Sequence, residues 1–137
     1  MRRKYYLIVL TGLFSCQQPA TKTPKQDAAF KDPAYLTELK FLNTKVEFGR
    51  VPRDTNLTAR YLFVNTGKKP LIISSVLPDC MCTSYKLSNK ITKPYDTGSV
   101  VLTLSTKEKV GPVQLYSTVM ANTTSKMYAL KIVANVK

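Results

Sequence analysis

The 137-residue chain has no histidine and no tryptophan. Without histidine it lacks the commonest general base and the commonest metal ligand. Acidic residues are scarce, 8 Asp and Glu against 21 Lys and Arg, for a formal net charge of +13. Those acids, Asp27, Asp32, Glu38, Glu47, Asp54, Asp79, Asp96 and Glu108, are dispersed, and no pair is spaced for general acid–base work. Serine and threonine are abundant but have no histidine and no evident lysine partner at motif spacing, which marks them as exposed faces of strands. No apolar run approaches the ~20 residues a membrane-spanning helix needs. Cysteine occurs only three times, at Cys16, Cys80 and Cys82. A catalytic role is therefore not expected, nor is any cofactor.

What the amino end does carry is patterned. Met1-Arg2-Arg3-Lys4 is a positive cluster, Tyr5 to Phe14 is a short apolar run, and Ser15-Cys16 follows. These are the parts of a secretory signal, with the basic cluster retained on the cytoplasmic side. Leu13-Phe14-Ser15-Cys16 resembles the bacterial lipobox, although Phe14 is bulkier than the commonest residue at its place. The resemblance implies cleavage after residue 15 and a diacylglycerol thioether on Cys16, usually with a further acyl chain. Two or three chains anchor stably, because each buried CH₂ contributes ~0.8 kcal/mol. Loss of Arg2, Arg3 and Lys4 lowers the net charge from +13 to +10. The remaining basic residues are scattered and form no nucleic-acid arm, so a solvated basic surface is expected; attraction to anionic headgroups or other envelope polyanions is a looser expectation.

Residues 1–15 thus read as signal peptide and 16–39 as lipidated cysteine and tether. The tether contains Pro19 and Pro24, has no sustained apolar period, and cannot bury enough surface to order itself. Asp32 to Glu38 suits one helical turn or two, with Asp32 as N-cap and Pro33 at the first position.

Residues 40–137 read as one β domain. Lys45 to Val51 alternates; Leu57, Ala59, Tyr61 and Phe63 share a face; Leu71 to Leu77 is β-branched and apolar. Cys82 to Leu87, Ser99 to Ser105, Val113 to Ala121 and Lys126 to Val136 complete about seven strands separated by turn residues. Such a count predicts an all-β, antiparallel sandwich of immunoglobulin type. Asn56-Leu57-Thr58 and Asn122-Thr123-Thr124 match the glycosylation pattern, which is frequent by chance.

Asn65-Thr66-Gly67-Lys68-Lys69-Pro70-Leu71-Ile72-Ile73, followed by Cys80-Met81-Cys82-Thr83, carries a resemblance over residues 40–137. It resembles domain-of-unknown-function family 1573, small Ig-like domains of Gram-negative envelope proteins. That family typically shows an Asn-x-Gly turn, a Pro-Leu-x-Ile strand, a Cys-Gly-Cys-Thr signature and a later glycine, whose place Gly111 fits. Met81 stands where the family usually has glycine, and Asp96-Thr97-Gly98 replaces its usual Pro-Gly. A glycine there has access to positive φ, which Met81 resists. The resemblance implies the fold and an envelope compartment. Residues 17–20, Gln-Gln-Pro-Ala, lack the acidic cluster that resembles a surface-export signal, so the lipid-anchored protein is expected to face the periplasm.

For Cys80 and Cys82 three readings stay open. In an extended segment their Cα atoms stand ~6.6 Å apart, the upper edge for a disulfide, so a bridge requires a turn. The pair is thus a structural thiol pair or local disulfide, an exchangeable dithiol with Lys86 or Lys90 lending positive potential, or a copper(I) site. Zinc is disfavoured, because two thiolates without histidine fall short of four ligands. The function expected is a non-catalytic interaction or scaffolding module with an envelope protein as partner, its oligomeric state open; thiol redox or copper(I) handling through Cys80 and Cys82 is the alternative.

Overall fold

The protein is described here by a computed structural model covering residues 32–137. The expected signal peptide, the expected lipidation site Cys16 and the expected tether up to residue 31 lie outside the described residues. The described chain begins at a single 3₁₀ turn, Pro33–Tyr35, where the Asp32 carboxylate accepts a 2.9 Å hydrogen bond from the Ala34 amide. Leu36 is already extended, and Thr37 bridges to Thr123, which stops the turn from becoming a helix.

Nine strands follow: β1 (Leu39–Phe41), β2 (Lys45–Val51), β3 (Asn56–Asn65), β4 (Leu71–Pro78), β5 (Thr83–Leu87), β6 (Ile91–Thr92), β7 (Thr97–Ser105), β8 (Gly111–Ala121) and β9 (Met127–Val136). They form two sheets, β1-β3-β7-β5 and β2-β9-β8-β4-β6, stacked as an Ig-like sandwich. The seven strands legible in the sequence are present, joined by β1 and β6, which at three and two residues are too short to show alternation.

Among the nine strands one pairing is not antiparallel. The chain leaves the first sheet after β1 and crosses to the second, where β2 runs parallel to β9 with Val46 beside Ile132. Asn43 holds the crossing: its side chain accepts from the Leu62 amide at 3.1 Å and donates to the Arg60 carbonyl at 3.0 Å.

Alternation places the core. Leu57, Ala59, Tyr61 and Phe63 on β3 face Leu130, Ile132, Ala134 and Val136 on β9 across the sandwich, and all eight are buried. Phe41 packs edge-on to Phe63, with ring centroids 5.7 Å apart. Gly98 lies opposite Phe63 in the β3–β7 ladder, and a Cβ there would run into the Phe63 ring.

The strands also define two poles. The chain enters beside Asn65, at the pole shared by the end of β3 and the starts of β4 and β7. Cys80 and Cys82 lie at the other pole, where β4 ends and β5 begins. The ten residues of β3 separate the two by about 30 Å, at a rise of ~3.3 Å per residue.

Candidate functional site

The far pole is built by the exit of β4. Asp79 anchors it to β8, its amide donating to the Tyr116 carbonyl and its carboxylate accepting from the Tyr116 amide, both at 3.0 Å. The chain then turns back at once, the Thr83 amide donating to the Cys80 carbonyl at 3.0 Å. This turn brings the Cα atoms of Cys80 and Cys82 to 5.1 Å, and the two residues are joined by a disulfide. Met81 sits at the apex with its side chain fully in water. Its φ is not positive; among described residues other than glycine only Asp54, Tyr95 and Lys126 adopt that conformation, so methionine stands here without backbone conflict. The turn thus closes without the positive φ that a glycine at this place would allow and Met81 resists.

The two sulfurs have different surroundings. The Cys82 amide donates to Cys80 Sγ at 3.1 Å, and Lys109 Nζ lies 3.6 Å from the same sulfur. Cys82 instead packs against the core, with Thr83 Oγ1 3.9 Å from its Sγ. A surface cleft of about 420 Å³ adjoins the pair, lined by Cys80, Met81, Cys82, Ser105, Lys107, Glu108 and Lys109.

Lys109 is held there by the β7–β8 turn, its amide donating to the Thr106 carbonyl at 3.0 Å. Thr106 is itself buried. Its hydroxyl accepts from the Thr55 amide at 2.9 Å and is shared between the Pro52 and Thr55 carbonyls. Lys86 and Lys90, the lysines nearest in sequence, do not supply the positive neighbour. Lys86 opposes Val101 on the outer side of the first sheet, and the Lys90 carbonyl receives the Ile73 amide. No local signal points to Lys109, which lies 29 residues from Cys80. A copper(I) site needs thiolates, and in the disulfide neither sulfur is one.

The entry pole is polar but sealed. Asn65 is fully buried and its amide donates to the carbonyls of Lys69 at 2.8 Å and Thr92 at 3.1 Å. Its oxygen accepts from the Thr37 hydroxyl at 2.9 Å and the Gly67 amide at 3.2 Å. Asn122 does the same for the neighbouring loops, donating to Tyr35 and Pro70 and accepting from Ile72 at 2.7 Å. With its amide so engaged and only 1% exposed, Asn122 is not placed to accept a glycan. The Asn-x-Gly signature is therefore architectural: asparagine replaces missing backbone partners, and Gly67 leaves room for Thr37, whose hydroxyl a Cβ would strike.

The sequence profile of the family described as "Protein of unknown function (DUF1573)" matches residues 39–136. Among solved structures the chain is similar to a protein of unknown function from Porphyromonas gingivalis, with a TM-score of 0.66 and 14% identity over 73% of this chain and 47% of that one. It is also similar to the ASH / PapD-like domain 7 of human CEP192, with a TM-score of 0.57 and 12% identity over 96% and 98% of the two chains. A third likeness is to the VesB protease of Vibrio cholerae, with a TM-score of 0.60 and 10% identity over 71% of this chain and 31% of the protease. The chain thus spans about half of the first of these proteins and a third of the last, and at such identities the likeness is one of fold. No curated protein matches it.

Proposed function

The chain belongs to the DUF1573 family, and we propose that it serves as a non-catalytic Ig-like module of the cell envelope, working through contact with another envelope protein. It is tethered through a lipid on Cys16, with the domain on the periplasmic side of a Gram-negative membrane. The polar, proline-containing composition after Cys16 supports reading that segment as a tether, which would let the domain reach partners away from the headgroups.

The observation that carries this reading is the outer face of the second sheet. Opposed residues of a ladder share a face, so Leu77, Thr118 and Ala129 form one row and Ser75, Met120 and Met127 the next. Leu77 and Met127 are 55% and 61% exposed, and Tyr116 adds a half-exposed ring beside them. Lys131 is the one cation on β8 and β9 of this face, and its Nζ sits 5.2 Å from the Tyr116 ring centroid, partly masking its charge. Apolar side chains gathered on one sheet face mark a contact surface more than scattered ones do.

The test is crosslinked capture from envelope extract with the wild-type chain and with a Leu77→Lys/Met127→Lys variant. The reading expects a defined protein retained by the first and lost with the second. Equal recovery by both would remove this face from consideration, and recovery of this chain alone would assign the face to self-association.

A further inference from the structure

Beyond contact, we propose that the Cys80–Cys82 disulfide is a thiol–disulfide exchange site that accepts two electrons from a dithiol partner, with Cys80 as the exchanging sulfur and Lys109 as its electrostatic partner. Three observations carry this. The pair sits at the tip of a turn, bordering a cleft and about 30 Å from the pole where the chain enters. Two positive groups converge on one sulfur alone: Lys109 Nζ at 3.6 Å and the Cys82 amide at 3.1 Å from Cys80 Sγ. The other sulfur packs against the core, as suits a resolving thiol that need not meet the partner.

The groups around the tip favour the assignment. Lys107 and Lys109 outweigh Glu108 in the cleft, while the Asp79 carboxylate is turned to the Tyr116 amide. A thiolate approaching Cys80 therefore meets net positive charge. A thiolate released from Cys80 is stabilised by the same ammonium and amide.

The exchange proceeds in two steps. A thiolate of the partner dithiol attacks Cys80 Sγ; the Cys80–Cys82 bond breaks, and its electron pair goes to Cys82 Sγ, which takes a proton from water. The partner's second thiol, losing its proton to water, then attacks the partner's own sulfur in the mixed disulfide. Cys80 leaves as a thiolate held by Lys109 and the Cys82 amide. The partner ends oxidised to a disulfide and this chain ends as a dithiol, so electrons and sulfurs balance. Reoxidation reverses both steps with a disulfide as acceptor.

The experiment uses the full chain carrying Cys16→Ser, so that no third thiol reacts, and follows reduction of the native protein by dithiothreitol at neutral pH and low salt. Lys109→Met is expected to slow reduction about fivefold and Lys109→Arg to restore most of the rate, in keeping with one unit charge near the sulfur. In a second arm, Cys82→Ser is expected to take up glutathione from oxidised glutathione several times faster than Cys80→Ser. A disulfide that resists dithiothreitol until the protein unfolds, a Lys109→Met rate equal to wild type, or faster adduct formation at Cys82 would each overturn the assignment.

Discussion

The Tyr61 hydroxyl, carried by β3 in one sheet, donates a 2.8 Å hydrogen bond to the Lys131 carbonyl on β9 in the other. It is a polar stitch through an apolar core, with Tyr61 wholly shielded from water. Tyr61→Phe keeps the ring and removes the stitch, so unfolding free energy is expected to fall by ~1 kcal/mol in urea titration. Burial also pushes the Tyr61 hydroxyl from 10.0 up to about 12. Between those values the unfolded chain gives up this proton and the folded chain keeps it, so stability present below the lower value is lost as pH rises through the upper. Denaturation midpoints compared at about pH 9 and about pH 11 should drop more for wild type than for Tyr61→Phe.

Asn65→Ala should be among the costliest single changes at the entry pole. It removes the side-chain partner of the Thr92 carbonyl and of the Gly67 amide at the end of a strand sealed from water, and leaves the Lys69 carbonyl with the Thr37 hydroxyl alone. A loss of ~2–4 kcal/mol is expected from the unsatisfied buried groups. A loss under ~1 kcal/mol in chemical denaturation would mean that water or a rearranged turn replaces the side chain.

Two glycines should separate space from conformation. Gly98→Ala drives a methyl into the Phe63 ring and is expected to cost ~1–3 kcal/mol, whereas the double variant Gly98→Ala/Phe63→Leu should lose less than the sum of its parts. Gly111→Ala meets nothing within 4 Å but occupies φ +77°, so its cost of ~1 kcal/mol should not depend on any neighbour. Thermal denaturation of the four variants decides.

Reduction of Cys80–Cys82 should leave the sandwich standing. The bridge closes a loop of sequence separation 2, for which chain entropy gives only ~1–2 kcal/mol. Far-ultraviolet circular dichroism should therefore be unchanged in the dithiol form, with a small drop in melting temperature. Collapse of the β signal on reduction would show that the bridge holds the fold.

Cys16→Ala should abolish lipid attachment and leave the precursor uncleaved at that site, shifting the protein out of the membrane fraction. Fractionation with intact-mass measurement checks both effects, and unchanged membrane retention and mass would remove the anchor from the proposal.

Much of the fold was legible because alternation is local. Val100, Leu102 and Leu104, or Tyr128 to Val136, announce their inward faces through a backbone whose side chains alternate every residue. β1 and β6 escaped because a period of two needs more residues than they have. At the site, the cysteines were evident and Lys109 was not, since a lysine on a turn 29 residues away carries no mark of its neighbour.

By itself the sequence determined which residues face inward, where the chain turns, and that two cysteines stand two residues apart with a bridge between them conditional on a turn; covalent geometry and polarity suffice for each. Only the tertiary structure decided that β2 runs parallel to β9, that Asn65 seals the entry pole, and that Lys109 rather than Lys86 or Lys90 stands beside Cys80. These depend on which segments share space once two sheets close over one core, and contacts between residues tens of positions apart leave no local pattern in the chain.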